Sequence, residues 1–175
     1  MLKTVNNLAS SINLIEKNLS LQKFSKVERY AEKLINKGIN DLWLLNVLAI
    51  SLAKQNKFLK ASKYFHSILA VDPEGYNSHF NLARLFHDKG DDEKVIEFCK
   101  KSLKKHPDHL GSVNLLVITN IKSGNLSKPL IEKQLDIAKR TLIKDPFNKL
   151  GLKCISYSLA ELGDYKVALN TLSKI

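Results

Sequence analysis

Residues 81–107 read NLARLFHDKGDDEKVIEFCKKSLKKHP, and this stretch indicates the fold class most clearly. Apolar residues recur at helical spacing on both sides of Gly90-Asp91, which indicates two amphipathic helices joined by a tight turn. A glycine at the turn suits the left-handed end of the first helix, and Asp91 can cap the second. Pro107 stops the second helix. The stretch therefore predicts a helix–turn–helix unit.

The same unit recurs along the chain with a period of 34 residues. The shift carries Pro73 onto Pro107 and Gly90 onto Gly124, and one later shift of 39 residues carries Pro107 onto Pro146. Because the period includes proline and glycine, it does not arise from leucine content alone. A two-helix unit cannot bury both of its apolar faces alone, so neighbouring units are expected to stack into a superhelix.

These residues resemble the tetratricopeptide repeat (TPR), a 34-residue helix–turn–helix unit. The best single match comprises Asn81-Leu82-Ala83, Phe86, Gly90-Asp91, Val95, Cys99, Leu103 and Pro107. The resemblance implies an all-α fold, a right-handed superhelical solenoid of antiparallel helix pairs. We expect a single array over residues 1–175, with repeats at roughly 8–41, 42–75, 76–109, 110–148 and 149–175, the last one incomplete.

The fourth repeat is five residues longer than the others. The extra residues fall near Ser127–Ile131, where the turn between its two helices should close. Two interpretations stay open, an enlarged turn or an extra helical turn that starts at Ser127. Harmless loop growth is favoured over a role in binding.

Nothing in the sequence indicates an enzyme, a cofactor or a metal site. The five histidines form no HExxH pair, and no glycine-rich phosphate loop or GxSxG motif is present. Two cysteines, Cys99 and Cys154, are too few for a disulfide framework and are expected to be buried or semi-buried free thiols in a reducing compartment. We therefore predict a non-catalytic, cytoplasmic protein.

The chain is strongly basic, with 28 Lys+Arg against 17 Asp+Glu and a formal net charge of +11. Only three of the basic residues are arginine, whereas proteins that bind phosphate groups favour arginine. Lys, Asn and Ile are all abundant and share AT-rich codons, so compositional drift is the preferred explanation of the positive charge. The alternative is a polyanion-binding surface on the helix that contains Lys94, Lys100, Lys101, Lys104 and Lys105. The longest nearly apolar run, residues 42–53, is too short for a membrane span.

The TPR resemblance implies a concave groove, lined by the first helix of each repeat, that binds a peptide or a helix of another protein. The groove residues would be Trp43, Asn46, Asn77, Phe80, Asn81, Arg84, Asn114, Lys153 and Tyr157. The asparagines could hold a peptide backbone, although each could equally be a tolerated surface residue. Arg84 and Lys153 could pair with an acidic side chain or C-terminus. The carboxylate clamp known in this family is not supported, because Ile12 and Glu16 occupy two of its positions.

The preferred function is thus a protein–protein interaction scaffold. One alternative is an N-terminal adaptor domain of a larger enzyme, such as a glycosyltransferase, sulfotransferase or oxygenase, and another is a basic nucleic-acid-binding module. The last repeat should also leave an apolar edge, formed by Ala168, Leu169, Leu172 and Ile175. Such an edge predicts truncation from a longer chain or self-association through this end.

Overall fold

The computed structural model describes residues 2–174, with the side chains of residues 8–174, and this range contains ten α-helices and no strand. The helices are α1 (Leu2–Ser20), α2 (Phe24–Ile35), α3 (Leu42–Lys54), α4 (Phe58–Val71), α5 (Tyr76–Lys89), α6 (Asp92–Lys105), α7 (Leu110–Lys122), α8 (Lys128–Lys144), α9 (Lys149–Glu161) and α10 (Tyr165–Leu172). The all-α class predicted from the sequence is confirmed. None of the helices in the described range is long and apolar enough to cross a membrane.

The chain divides into two compact units, Met1–Leu85 and Phe86–Ile175. In the first unit, α2 packs against α1 and α3, and α4 packs against α3. Its fully buried apolar side chains include Ile15, Val27, Ala31, Leu48, Leu52, Ala61 and Phe65. These residues recur at helical spacing within their helices, so hydrophobic burial holds the pairs together.

A buried carboxylate, that of Glu28, forms an ion pair within the first unit. Glu28 of α2 accepts hydrogen bonds from Lys57 Nζ at 2.6 and 2.7 Å and from Gln55 Nε2 at 2.9 Å. Burial alone would raise the pKa of Glu28, but the hydrogen bonds from Lys57 and Gln55 outweigh it, and the pKa lies below its usual range. The ion pair therefore joins α2 to the turn between α3 and α4.

In the second unit, α7 packs against α6 and α8, and α9 packs against α8 and α10. One cluster of buried residues joins three of these helices and comprises Leu110, Val113, Val117, Ile137, Ala138 and Cys154. Both cysteines are free and buried, as the sequence predicts. Burial raises the pKa of Cys99 to about 12 and that of Cys154 to about 11.

The turns between paired helices follow the glycine and aspartate pattern of the sequence. Gly90, Gly124 and Gly163 have φ angles of 76°, 70° and 89°, the left-handed region that only glycine adopts without strain. Asp91 and Asp164 cap α6 and α10, where each carboxylate accepts a backbone N–H. These predictions are confirmed.

The extra residues of the fourth repeat lengthen both the turn and the helix that follows it. Five residues separate α7 from α8, whereas two separate α5 from α6. α8 has 17 residues and starts after Ser127, whereas α4 and α6 have 14 residues each. The gain of three residues is close to one helical turn of 3.6 residues. Both interpretations of the insertion therefore contribute.

The predicted apolar edge of the last helix is only partly exposed. Leu169 and Leu172 are 70% and 56% exposed, but Ala168 is buried, and its carbonyl oxygen accepts a hydrogen bond from Ser156 Oγ at 2.8 Å. Ala168 is corrected to a core residue, because it lies on the side of α10 that faces α9. Ile175 lies outside the described residues. Self-association through this end stays a prediction.

Candidate peptide-binding site

An open cleft of about 260 Å³ lies between α3 and the start of α5. Each of these helices is the first helix of a repeat. From α3, Leu42, Trp43 and Asn46 line the cleft, and from the start of α5, Tyr76 and Asn77 do so. Trp43 is 40% exposed, although large aromatic side chains are usually more deeply buried. Three of the predicted groove residues therefore meet in one cleft.

One lining residue that the sequence analysis did not single out is Asp72, in the loop between α4 and α5. A Cβ atom at Gly75 would lie 2.8 Å from Asp72 Oδ2, so the carboxylate rests against glycine backbone at the edge of the cleft. His79 Nε2 lies 3.1 Å from the carbonyl oxygen of Pro73 and ties the loop to α5. The available signal was the acidic residue directly before a repeat-closing proline, a pattern that returns at Asp145-Pro146.

An amide pair links α3 and α5 beside the cleft. Asn81 Nδ2 donates a hydrogen bond to Asn46 Oδ1 at 3.2 Å, and both side chains are half-buried. This contact occupies the Asn46 carbonyl oxygen and one Asn81 N–H. The Asn46 amino group, a donor, and the Asn81 carbonyl oxygen, an acceptor, take no part in this contact.

Phe80 and Arg84 form a second pair along α5. The Arg84 guanidinium carbon lies 5.8 Å from the centre of the Phe80 ring, within the range of a cation–π contact. Phe80 is half-buried and Arg84 is exposed. The Phe80 ring thus holds the Arg84 guanidinium, a forked hydrogen-bond donor, at the surface of α5, one helical turn after Phe80.

The three remaining predicted residues lie in the second unit. Asn114 of α7 is half-buried, and its Oδ1 accepts hydrogen bonds from Gln134 Nε2 at 2.9 Å and from Cys154 Sγ at 3.3 Å. Lys153 is exposed. Burial and a hydrogen bond with its neighbour on the next helical turn raise the pKa of Tyr157 to about 12. Asn114 therefore has a structural role that the sequence did not indicate.

The Asn114 contact belongs to a buried polar network that connects α7, α8 and α9. Gln134 is fully buried, and its Oε1 accepts a hydrogen bond from Ser158 Oγ at 2.9 Å. Ser158 is fully buried as well. Since buried polar groups must find partners, the network fixes how these three helices pack.

Among residues 2–174, no group of three or more His, Cys, Asp or Glu side chains is arranged to hold a metal ion. The His106 and His109 rings, 5.9 Å apart, lie in the turn before α7. His109 Nδ1 accepts the backbone N–H of Ser112 at 3.3 Å, so His109 caps that helix.

No protein-family model matches the sequence, and no curated protein matches it. Solved structures do match it, and one of them is a thermophilic TPR protein of Thermus thermophilus. That structure has a TM-score of 0.71 and 14% identity, over 95% of this chain and 88% of that chain. MamA from Desulfovibrio magneticus RS-1 has a TM-score of 0.63 and 15% identity, over 95% and 91% of the two chains. A further MamA structure has a TM-score of 0.60 and 12% identity, over 95% and 88%. These likenesses, together with the helix pairs and their turns, show that the chain has the fold of a TPR-type repeat protein.

Proposed function

We propose that this chain is a non-catalytic protein-interaction scaffold that binds an extended peptide or a helix of a partner protein along its first helices. The observation that carries the proposal is the α3–α5 surface, where Trp43, Asn77 and Arg84 are exposed beside the Asn46–Asn81 amide pair. Part of the same proposal is that residues 1–175 act as one array and that binding centres on its second to fourth repeats.

The chemistry of this surface suits a peptide better than a small metabolite. Aromatic and arginine side chains supply most of the binding energy at protein interfaces, and Trp43, Phe80 and Arg84 lie on α3 and α5, which the Asn46–Asn81 hydrogen bond joins. The cleft of about 260 Å³ is smaller than the roughly 300–1,000 Å³ of typical small-molecule sites. An extended chain can instead use the amide pair together with the exposed Trp43 ring and the half-buried Phe80 ring.

The basic helix α6 supports the polyanion alternative less well. Its lysines are exposed, but Lys94 pairs with Asp91 at 3.1 Å and Lys101 pairs with Glu97. Lys94 and Lys101 also lie over aromatic rings, at 4.8 and 5.0 Å from the ring centres. Part of the positive charge of this helix is therefore matched within the protein itself.

A peptide-display selection on the intact chain tests the proposal. A random 12-residue library would be panned on the immobilised protein, and the enriched peptides would be synthesised and titrated by fluorescence anisotropy. We expect Phe80→Ala and Arg84→Ala each to weaken binding by about 1–3 kcal/mol. Circular dichroism of each variant would verify that its helicity equals that of the parent.

Arg29→Ala is the matched control for Arg84→Ala. Arg29 is also exposed and lies over an aromatic ring, at 5.2 Å from the centre of Tyr30, but on the second helix α2. Its removal should leave peptide affinity unchanged, as should replacement of Lys100 and Lys104 by glutamate. The proposal fails if no peptide is enriched, or if the lysine reversals abolish binding while the Phe80 and Arg84 variants bind normally.

A further inference from the structure

We infer that the cleft lined by Trp43, Asn46, Asp72, Tyr76 and Asn77, here called the Trp43 cleft, takes a lysine or arginine side chain of the bound peptide. The inference rests on the proposed function, because it names the chemistry that a peptide would present at this part of the site. It also separates this cleft from Arg84, which would face an acidic group.

The charge of the Trp43 cleft is opposite to that of the chain. The protein carries 28 Lys+Arg, yet none of the described side chains that line the cleft is basic. Asp72 is its only charged lining residue, and no lysine, arginine or histidine in the described range forms an ion pair with it. Charge complementarity therefore selects a cationic occupant.

The exposed indole of Trp43 adds a second reason for a cation. A tryptophan face attracts lysine and arginine more strongly than the other aromatic rings do, and the ring is 40% exposed. A side chain with an apolar stem and a charged head could lay the stem on Leu42 and Trp43 while its head meets the Asp72 carboxylate. The size of the cleft, about 260 Å³, suits one such side chain.

Asp145 of the second unit occupies the same repeat position as Asp72 and can be compared with it. Asp145, like Asp72, follows the last residue of a second helix, precedes a proline and lines a cleft, here of about 270 Å³. That cleft also contains Arg140 and Lys144, together with a second carboxylate, Asp108, to which Arg140 is bound. Asp72 thus lines a cleft that has no basic side chain, whereas Asp145 lines one that contains both cationic side chains and a second carboxylate.

The experiment uses the peptides enriched by display, synthesised with acetylated N-termini so that only side chains can supply the positive charge. Each lysine would be replaced in turn by norleucine and each arginine by citrulline. Binding would be followed through the emission of Trp43, which is the only tryptophan of the chain. The protein variants are Asp72→Asn and the matched control Asp145→Asn, which alters the net charge equally.

We expect one cationic position whose neutralisation weakens binding to the parent about tenfold and to Asp72→Asn less than twofold. Asp72→Asn alone should weaken the parent peptide about fivefold, and Asp145→Asn should have no effect. Gly75→Ala, which would displace the carboxylate, should act like Asp72→Asn. The inference is overturned if the enriched peptides require no cation, or if the two aspartate variants behave alike while Arg84→Ala still weakens binding. An absence of enriched peptides refutes the proposed function itself, and the inference with it.

Discussion

The buried network of α8 allows a sharp test of how the second unit is held together. Gln134 connects Asn114 and Ser158, and both Gln134 and Ser158 are completely buried. In Gln134→Leu, a side chain of similar volume fills the space, but the Ser158 hydroxyl loses its acceptor. An unsatisfied buried group costs about 1–3 kcal/mol, so we expect the free energy of unfolding to fall by about 2 kcal/mol.

The reciprocal variant and the double variant measure how strongly Gln134 and Ser158 depend on each other. Ser158→Ala leaves Gln134 Oε1 without a donor and should also cost about 2 kcal/mol. The double variant removes both partners of the Gln134–Ser158 hydrogen bond but still takes the Gln134 donor away from Asn114, so its total cost should stay at about 2 kcal/mol, well below the sum of the single costs.

Urea unfolding followed by circular dichroism would measure all three variants. Ser67→Ala, which removes an exposed hydroxyl from α4, is the control and should leave stability unchanged. Additive costs in the double variant would refute the network as an energetic unit.

Three further predictions concern titratable groups. Because the pKa of Glu28 is lowered in the folded state, its contribution is present above the unfolded-state pKa and is lost as pH falls through the folded-state pKa. Lys57→Met should therefore cost about 1–2 kcal/mol at neutral pH in urea unfolding, and progressively less as the pH falls through the folded-state pKa of Glu28. Burial raises the pKa of the Cys99 and Cys154 thiols, so at pH 8 both should react with a disulfide reagent only as fast as the protein opens, and urea should abolish this protection. Burial and a neighbouring histidine lower the pKa of His109, so its stabilising contribution is present above pH 6.5 and is lost as pH falls below it. His109→Asn, which retains a capping side chain, should flatten the dependence of thermal stability on pH between 5 and 7, whereas an unchanged slope would contradict the role of this histidine.

Much of the architecture was predictable because it depends on short-range rules. Helical spacing of apolar residues specifies each helix, and a glycine with positive φ, such as Gly90, ends one helix where Asp91 starts the next. These effects act within a few residues of sequence. The turn between α3 and α4 shows the limit, because Asn56 adopts a φ of 60° there without a glycine to signal it.

The use of each polar side chain depends on tertiary packing. Asn46 and Asn114 occupy similar places in the repeat pattern, yet one pairs with Asn81 near a cleft and the other is bound by buried Gln134. Asp72 likewise lines a cleft only because its loop lies beside Trp43. The helices, their pairing within repeats and their turns could be read from the amino-acid order, because local periodicity carries that information. Which polar atoms remain free to bind a partner depends on contacts between helices distant in sequence, and those contacts exist only once the repeats have packed together.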